Sequence, residues 1–228
     1  MHRGNEEWRD VTPRAHSVAY FNLATSISGQ GTIEPAQLIT IPDGYSTNLS
    51  IHAINEDHHI AGISAYGETL YHNTANRGIQ STNITLTITN DVTIDVTFMP
   101  STTISGIPLA WLSSYGITNK QDDIENMDLD GDGFTVLEEY VADTNPTNAT
   151  SFFHPLLATR TPTSAVFTVE ASSTQRVYMI QQTDVLLAPG PEWTTITNQT
   201  GTGSTWTWEN SIQPDDRAFF RSGVRLPN

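Results

Sequence analysis

Apolar and polar residues alternate in several stretches of the chain. Ile84-Thr85-Leu86-Thr87-Ile88 does so, and so does Val92-Thr93-Ile94-Asp95-Val96-Thr97-Phe98. A period of two over this length predicts strands with one buried face. Thr89-Asn90-Asp91 between them is turn chemistry, because Asn and Asp tolerate left-handed backbone, so the pair reads as a hairpin. Further strands are predicted over Tyr20–Ser28, Asn48–Ile54 and His59–Ala65, broken by Gly29-Gln30-Gly31 and Pro42-Asp43-Gly44. The pattern then changes. Pro108–Gly116 reads as a short helix with Leu109 and Leu112 on its apolar side and Gly116 as its stop, and a second helix is predicted over Thr135–Ala142, ended by Asn145-Pro146. Beyond it strands return at Ala165–Val169, Arg176–Gln181, Trp193–Thr197, Thr205–Trp208 and Ala218–Val224.

These patterns divide the chain into an N-terminal extension (1–16), a β module (17–100), a helix-loop-helix connector (101–151) and a C-terminal β module (152–228). The expected fold class is mainly β: two small domains, of the β-sandwich kind, joined by a short calcium-binding connector. Composition narrows the function. Acids outnumber bases 25 to 10, for a formal charge of -15. Nucleic acid and anionic membrane surfaces are therefore poor partners, and cations are better ones. No stretch reaches the ~20 apolar residues that span a bilayer. With no cysteine, disulfides, thiolate metal sites and cysteine nucleophiles are excluded. The polar start shows no signal peptide, and the expectation is a fragment or downstream part of a longer exported protein.

Nine acids and no Lys or Arg lie between Asp122 and Asp143. Within that run, Asp128-Leu129-Asp130-Gly131-Asp132-Gly133-Phe134-Thr135-Val136-Leu137-Glu138-Glu139 has the spacing of a 12-residue calcium loop. Ca²⁺ takes six to eight oxygens, which such a loop supplies from positions 1, 3, 5, 7 and 12. Those positions are Asp128, Asp130, Asp132, the carbonyl of Phe134, and Glu139, with Gly133 at the sharp turn. Val136 at position 9 has no side-chain oxygen. Carboxylates forced around one point repel without the ion, so metal binding should order this segment. The first predicted helix ends about a dozen residues before Asp128, which favours a structural site over a sensor.

Pro108-Leu109-Ala110-Trp111-Leu112, the acidic loop, Glu138-Glu139-Tyr140 and Thr144-Asn145-Pro146-Thr147, in that order, resemble the calcium-binding repeats related to thrombospondin type 3 and dockerin loops. More closely, they look like the version near the C-termini of large exported bacterial proteins. Asp143 stands where Gly is usual and Asn145 where Asp is usual. Gly29–Pro35 with the Val92–Phe98 strand is similar to divergent internalin-type B-repeats. Tyr178–Gln181, Glu192–Ile196 and Phe219–Arg221 look like the β module that follows such calcium segments. The resemblance implies a non-catalytic, extracellular or cell-surface calcium-binding module, either a monomer or part of a longer chain, with a polysaccharide or another surface protein as partner.

Other groupings point to weaker chemistry. His52, His58, His59 and His72 lie near Glu56 and Asp57, but His58 and His59 on a strand face opposite ways. Gly62–Gly67 differs from a nucleophile elbow by one position, and no acid-base constellation can be assembled for an enzyme. Trp206 and Trp208 share one strand face. Exposed, they would form a carbohydrate platform and support an accessory polysaccharide-binding role; buried, they are core.

Overall fold

A computed structural model describes residues 17–154, 156–170, 172–186, 190–212 and 218–227. The expected N-terminal extension, 1–16, lies outside the described residues. The fold is mainly β, and the chain divides into two compact units, residues 1–101 and 102–228.

Among the described residues the first unit contains eight strands: β1 (Tyr20–Ser28), β2 (Gly31–Glu34), β3 (Ile39–Pro42), β4 (Ser46–Ala53), β5 (His58–Ala65), β6 (Glu68–His72), β7 (Ser81–Thr87) and β8 (Val92–Pro100). They form a five-stranded sheet, β3-β1-β8-β5-β6, and a three-stranded sheet, β2-β4-β7. The β1–β8 pair is parallel and the others are antiparallel. Inward residues of both sheets share one core: Leu23, Ile60, Ile94, Val96 and Phe98 from the larger, Ile33, Leu49 and Ile51 from the smaller. Gly31 is dictated by this packing, because a Cβ there would overlap the Phe98 ring.

The alternating strands around residues 84–98 are both present, but they do not form a hairpin. β7 pairs with β4, whereas β8 pairs with β1 and β5 in the other sheet. The segment between them crosses from one sheet to the other, with Ile88 fully buried on the way. Alternation reports which face of a strand is wet; it carries no information on which strand lies beside it.

The second unit opens with two helices, α1 (Leu109–Ser114) and α2 (Val136–Ala142), with a 3₁₀ turn at Asp122–Asn126 between them. Ile107, Leu109, Leu112, Ile117, Ile124 and Val136 form their small core. The 3₁₀ turn was not anticipated from the sequence; its Ile124 is buried and brings the chain back to the start of the acidic loop. Among the described residues six strands follow: β9 (Leu156–Arg160), β10 (Ser164–Val169), β11 (Val177–Thr183), β12 (Thr194–Thr200), β13 (Trp206–Ser211) and β14 (Phe219–Arg225). They pair as β13-β10-β9 and β12-β11-β14 around Ala165, Phe167, Val169, Tyr178, Ile180 and Trp206. No helix among the described residues is long and apolar enough to cross a membrane.

Candidate metal centre

The acidic loop lies between the 3₁₀ turn and α2. Its two flanks are tied by a hydrogen bond from Val136 N–H to the Met127 carbonyl (2.9 Å). Each aspartate uses at least one oxygen to shape the loop. Asp128 accepts from Gly131 N–H through Oδ1 (2.8 Å) and from Gly133 N–H through Oδ2 (2.9 Å). Asp130 Oδ1 accepts from Asp132 N–H (3.2 Å), and Asp132 Oδ1 from Phe134 N–H (2.9 Å). Gly131 and Gly133 hold φ of 82° and 97°, which a side chain would oppose. The backbone bonds from Gly131 and Gly133 hold the Asp128 carboxyl below its ordinary pKa.

One ligand oxygen from each of Asp128, Asp130 and Asp132 lies within 4.8 Å of the others, so the trio can hold a metal ion. The loop turns into α2 at Thr135, whose hydroxyl caps Glu138 N–H (3.3 Å) while Glu138 returns a carboxylate to Thr135 N–H (2.8 Å). That reciprocal cap fixes the first turn of α2, and Glu139, on the inner side of that turn, is only 1% exposed. Its Oε1 accepts from Thr144 Oγ1 (3.3 Å). Its Oε2 is buried without a partner, and so are Asp130 Oδ2 and Asp132 Oδ2. Burial, followed by the charges of Asp130 and Asp132, raises the Glu139 carboxyl to about 7. Buried carboxylate oxygens without donors are costly. Three of them lie on Asp130, Asp132 and Glu139, although among the described residues only Asp128, Asp130 and Asp132 bring ligand oxygens within 4.8 Å of one another, and Glu139 lies outside that group.

The ring of Phe134 stacks on Phe152 (5.9 Å between centroids, 15° between planes), which fixes the backbone at the loop's seventh position. Behind the site, Arg176 anchors α2. It is 5% exposed and donates to the carbonyls of Val141 (Nε, 2.8 Å) and Tyr140 (Nη2, 2.6 Å). It also faces Asp143 (3.6 Å) and lies over the Tyr140 ring. Asp143, in the position where the resembling repeats carry Gly, adopts the left-handed conformation (φ 63°) that this residue type tolerates. The sequence placed Thr144 in the turn after α2 and Arg176 at the start of a strand, but gave neither a role at the site. Only the Thr135-x-x-Glu138 spacing carried a local signal, that of a capping box.

The other candidates are dispersed. Among the described residues no histidine joins a cluster able to hold a metal. His58 Nδ1 meets Asn55 Oδ1 (2.8 Å), and the buried His59 meets Ser101 Oγ (3.1 Å). Burial, then the neighbouring His58, lowers the His59 pKa. Ser64 lies within β5, opposite Asp95 and Thr69, and not at a strand-to-helix turn. Trp206 is buried and donates from Nε1 to Gln199 Oε1 (2.6 Å), while half-buried Trp208 packs on Phe167. These two indoles therefore form core, not an exposed platform. Trp193 lies beneath the Arg221 guanidinium (4.5 Å). No family model, no curated protein and no solved structure matches this chain.

Proposed function

We propose that this protein is a non-catalytic calcium-binding module of a secreted or cell-surface protein, in which the ion orders the connector. Asp128, Asp130, Asp132 and Glu139 would hold the ion through side chains, and Phe134 through its carbonyl. The observation that carries the reading is the set of three buried, unpartnered oxygens on Asp130, Asp132 and Glu139. Oxygen-only donors and a glycine-hinged loop suit Ca²⁺, which accepts irregular coordination, better than Mg²⁺, which requires a near-ideal octahedron. The ion would neutralise carboxylates that otherwise repel, so its binding free energy becomes folding free energy for residues 128–139. Because Arg176, the residue just before β11, binds the carbonyls at the end of α2, ordering of the loop would stiffen the attachment of the helical segment to the C-terminal sheets. An affinity of about 10⁻⁴–10⁻³ M would match extracellular calcium modules.

The test is calcium titration by calorimetry together with thermal melts in calcium and in chelator. Saturable binding and a raised melting point, both lost in the Asp130→Ala/Glu139→Ala double variant, are expected. Absence of binding and of any melting shift up to several millimolar calcium would overturn the reading.

A further inference from the structure

Strand β7 is an outer edge of the three-stranded sheet. The hydrogen bonds at its two ends establish which of its backbone groups face outward. Ala53 N–H donates to Gln80 O (2.7 Å) just before β7, and Ile88 N–H to Tyr45 O (2.9 Å) just after it. Bonded and non-bonded pairs alternate along an antiparallel ladder. With Thr47 opposite Leu86, Leu49 opposite Ile84 and Ile51 opposite Thr82, Thr82, Ile84 and Leu86 turn their N–H and C=O groups towards β4. Ser81, Asn83, Thr85 and Thr87 turn theirs away from the sheet. The Thr87 carbonyl confirms this alternation, because it accepts from the Tyr66 hydroxyl and not from β4 (3.3 Å).

Other edges of this unit are blunted. β2 and β3 have four residues each, the first followed by Pro35 and the second ending at Pro42, and β6 begins with Glu68. Short strands, prolines and charges are the usual protections of a sheet edge. β7 has none of them: seven residues, Ser81-Thr82-Asn83-Ile84-Thr85-Leu86-Thr87, without charge, proline or bulge. Ile84 and Leu86 pack against the core yet remain only partly buried, so the rim of the core lies open beside this strand.

We propose that β7 is a self-association edge at which two copies of the chain pair antiparallel about a two-fold axis through Ile84. The occupant is a second copy for two reasons. First, two chains of charge -15 repel over most of their surfaces, so a second copy is confined to an uncharged stretch, and this strand is one. Second, the strand is complementary to itself. A two-fold at Ile84 places Asn83 opposite Thr85 of the other copy, and these are residues whose outward groups are unpaired by β4. Two such pairs give four backbone hydrogen bonds, and Thr87 N–H adds one at each end to Ser81 of the other copy. On the wet face Asn and Thr side chains meet; on the core side Ile84 meets Ile84 and Leu86 meets Thr82. The product is a continuous six-stranded sheet closed by the short β2 edges, which stops growth at a dimer.

Sedimentation equilibrium of the whole chain, up to roughly millimolar concentration, tests this. The expected mass rises from 25.1 kDa towards twice that value. Thr85→Pro removes an N–H that β4 does not use, so the fold persists while self-association weakens about tenfold or more. Thr85→Asp, which adds negative charge at the edge of a chain already at -15 without touching the backbone, gives the same loss if the proline variant fails to fold. The chain has no cysteine, so Ile84→Cys provides a unique reporter. On the axis, in a non-hydrogen-bonded pair, it forms an intermolecular disulfide under mild oxidant. Leu86→Cys, about 13 Å from its symmetry mate, does not. A chain that remains monomeric throughout, a dimer unaffected by either Thr85 variant, or equal cross-linking at positions 84 and 86 would each overturn the proposal.

Discussion

Glu139→Gln tests the metal reading through two opposite effects of one substitution. In the metal-free protein the Glu139 carboxyl is buried, lacks a donor on Oε2, and faces the charges of Asp130 and Asp132. Its pKa rises from 4.5 to about 7. The folded protein then holds this proton more tightly than the unfolded chain, so the associated stability is fully present below about pH 4.5 and is lost as pH rises through about 7. At about 1.4 kcal/mol per pH decade, ionised Glu139 costs the metal-free fold on the order of 3 kcal/mol at pH 8. Glutamine removes that charge and offers an N–H to Asp130 or Asp132. In chelator at pH 8 the variant should melt about 10 °C above the parent, and the difference should vanish near pH 4. In calcium the order reverses in significance: the parent gains stability from the ion, whereas the variant has lost a ligand that can bind through both oxygens and gains little. Differential scanning calorimetry at the two pH values, with and without calcium, reads all four conditions. A variant that melts at or below the parent in chelator at pH 8, and still gains stability from calcium, would refute both the electrostatic argument and the ligand assignment.

Two further substitutions separate the site from its supports. Arg176→Ala removes charge-assisted hydrogen bonds to the carbonyls of Tyr140 and Val141 and should cost about 3 kcal/mol or more in urea unfolding; Arg176→Lys should recover only part, since an ammonium cannot reproduce the planar fork. Gly31→Ala forces a methyl into the Phe98 ring and should destabilise the first unit by about 1–3 kcal/mol while leaving the calcium isotherm of the second unit unchanged.

Much of the local structure was legible in the sequence. The strand β8 follows from Val92, Ile94, Val96 and Phe98 at period two, and all four are buried. Helix α2 follows from the stop at Asn145-Pro146 and the apolar positions Val136, Leu137 and Tyr140. The clustering of Asp128, Asp130 and Asp132 follows from alternate spacing in a glycine-rich loop, because short-range geometry alone brings those oxygens together. Partners distant in sequence were illegible for a physical reason: a periodic pattern specifies a face and leaves open what covers it. Hence the segment joining β7 to β8 reads as a hairpin turn, but Ile84 and Ile94 approach the core from different sheets. For the tryptophan pair, the shared strand face of Trp206 and Trp208 fits core, the ordinary use of such a face, as well as platform, and the fold makes it core.

The sequence by itself determined a charge imbalance that favours cations, an oxygen-only donor set, the longer strands with one wet face and the two helices between them, while the short strands β2, β3, β6 and β9 carried too few alternating positions to be read. Only the tertiary structure decided which of those donors lack partners. It buried Glu139 on the inner face of α2, where it senses two aspartates, placed Arg176 on the carbonyls at the far end of that helix, and left β7 at an edge with its outward hydrogen-bonding groups unpaired by its neighbouring strand. The loop spacing brings Glu139 into the same segment as the aspartates, but its burial, like the Arg176 and β7 placements, depends on contacts between residues whose spacing no local rule constrains. The free energy at stake is that of burying a polar group with or without its complement, and whether the complement is present is settled only when the chain is folded.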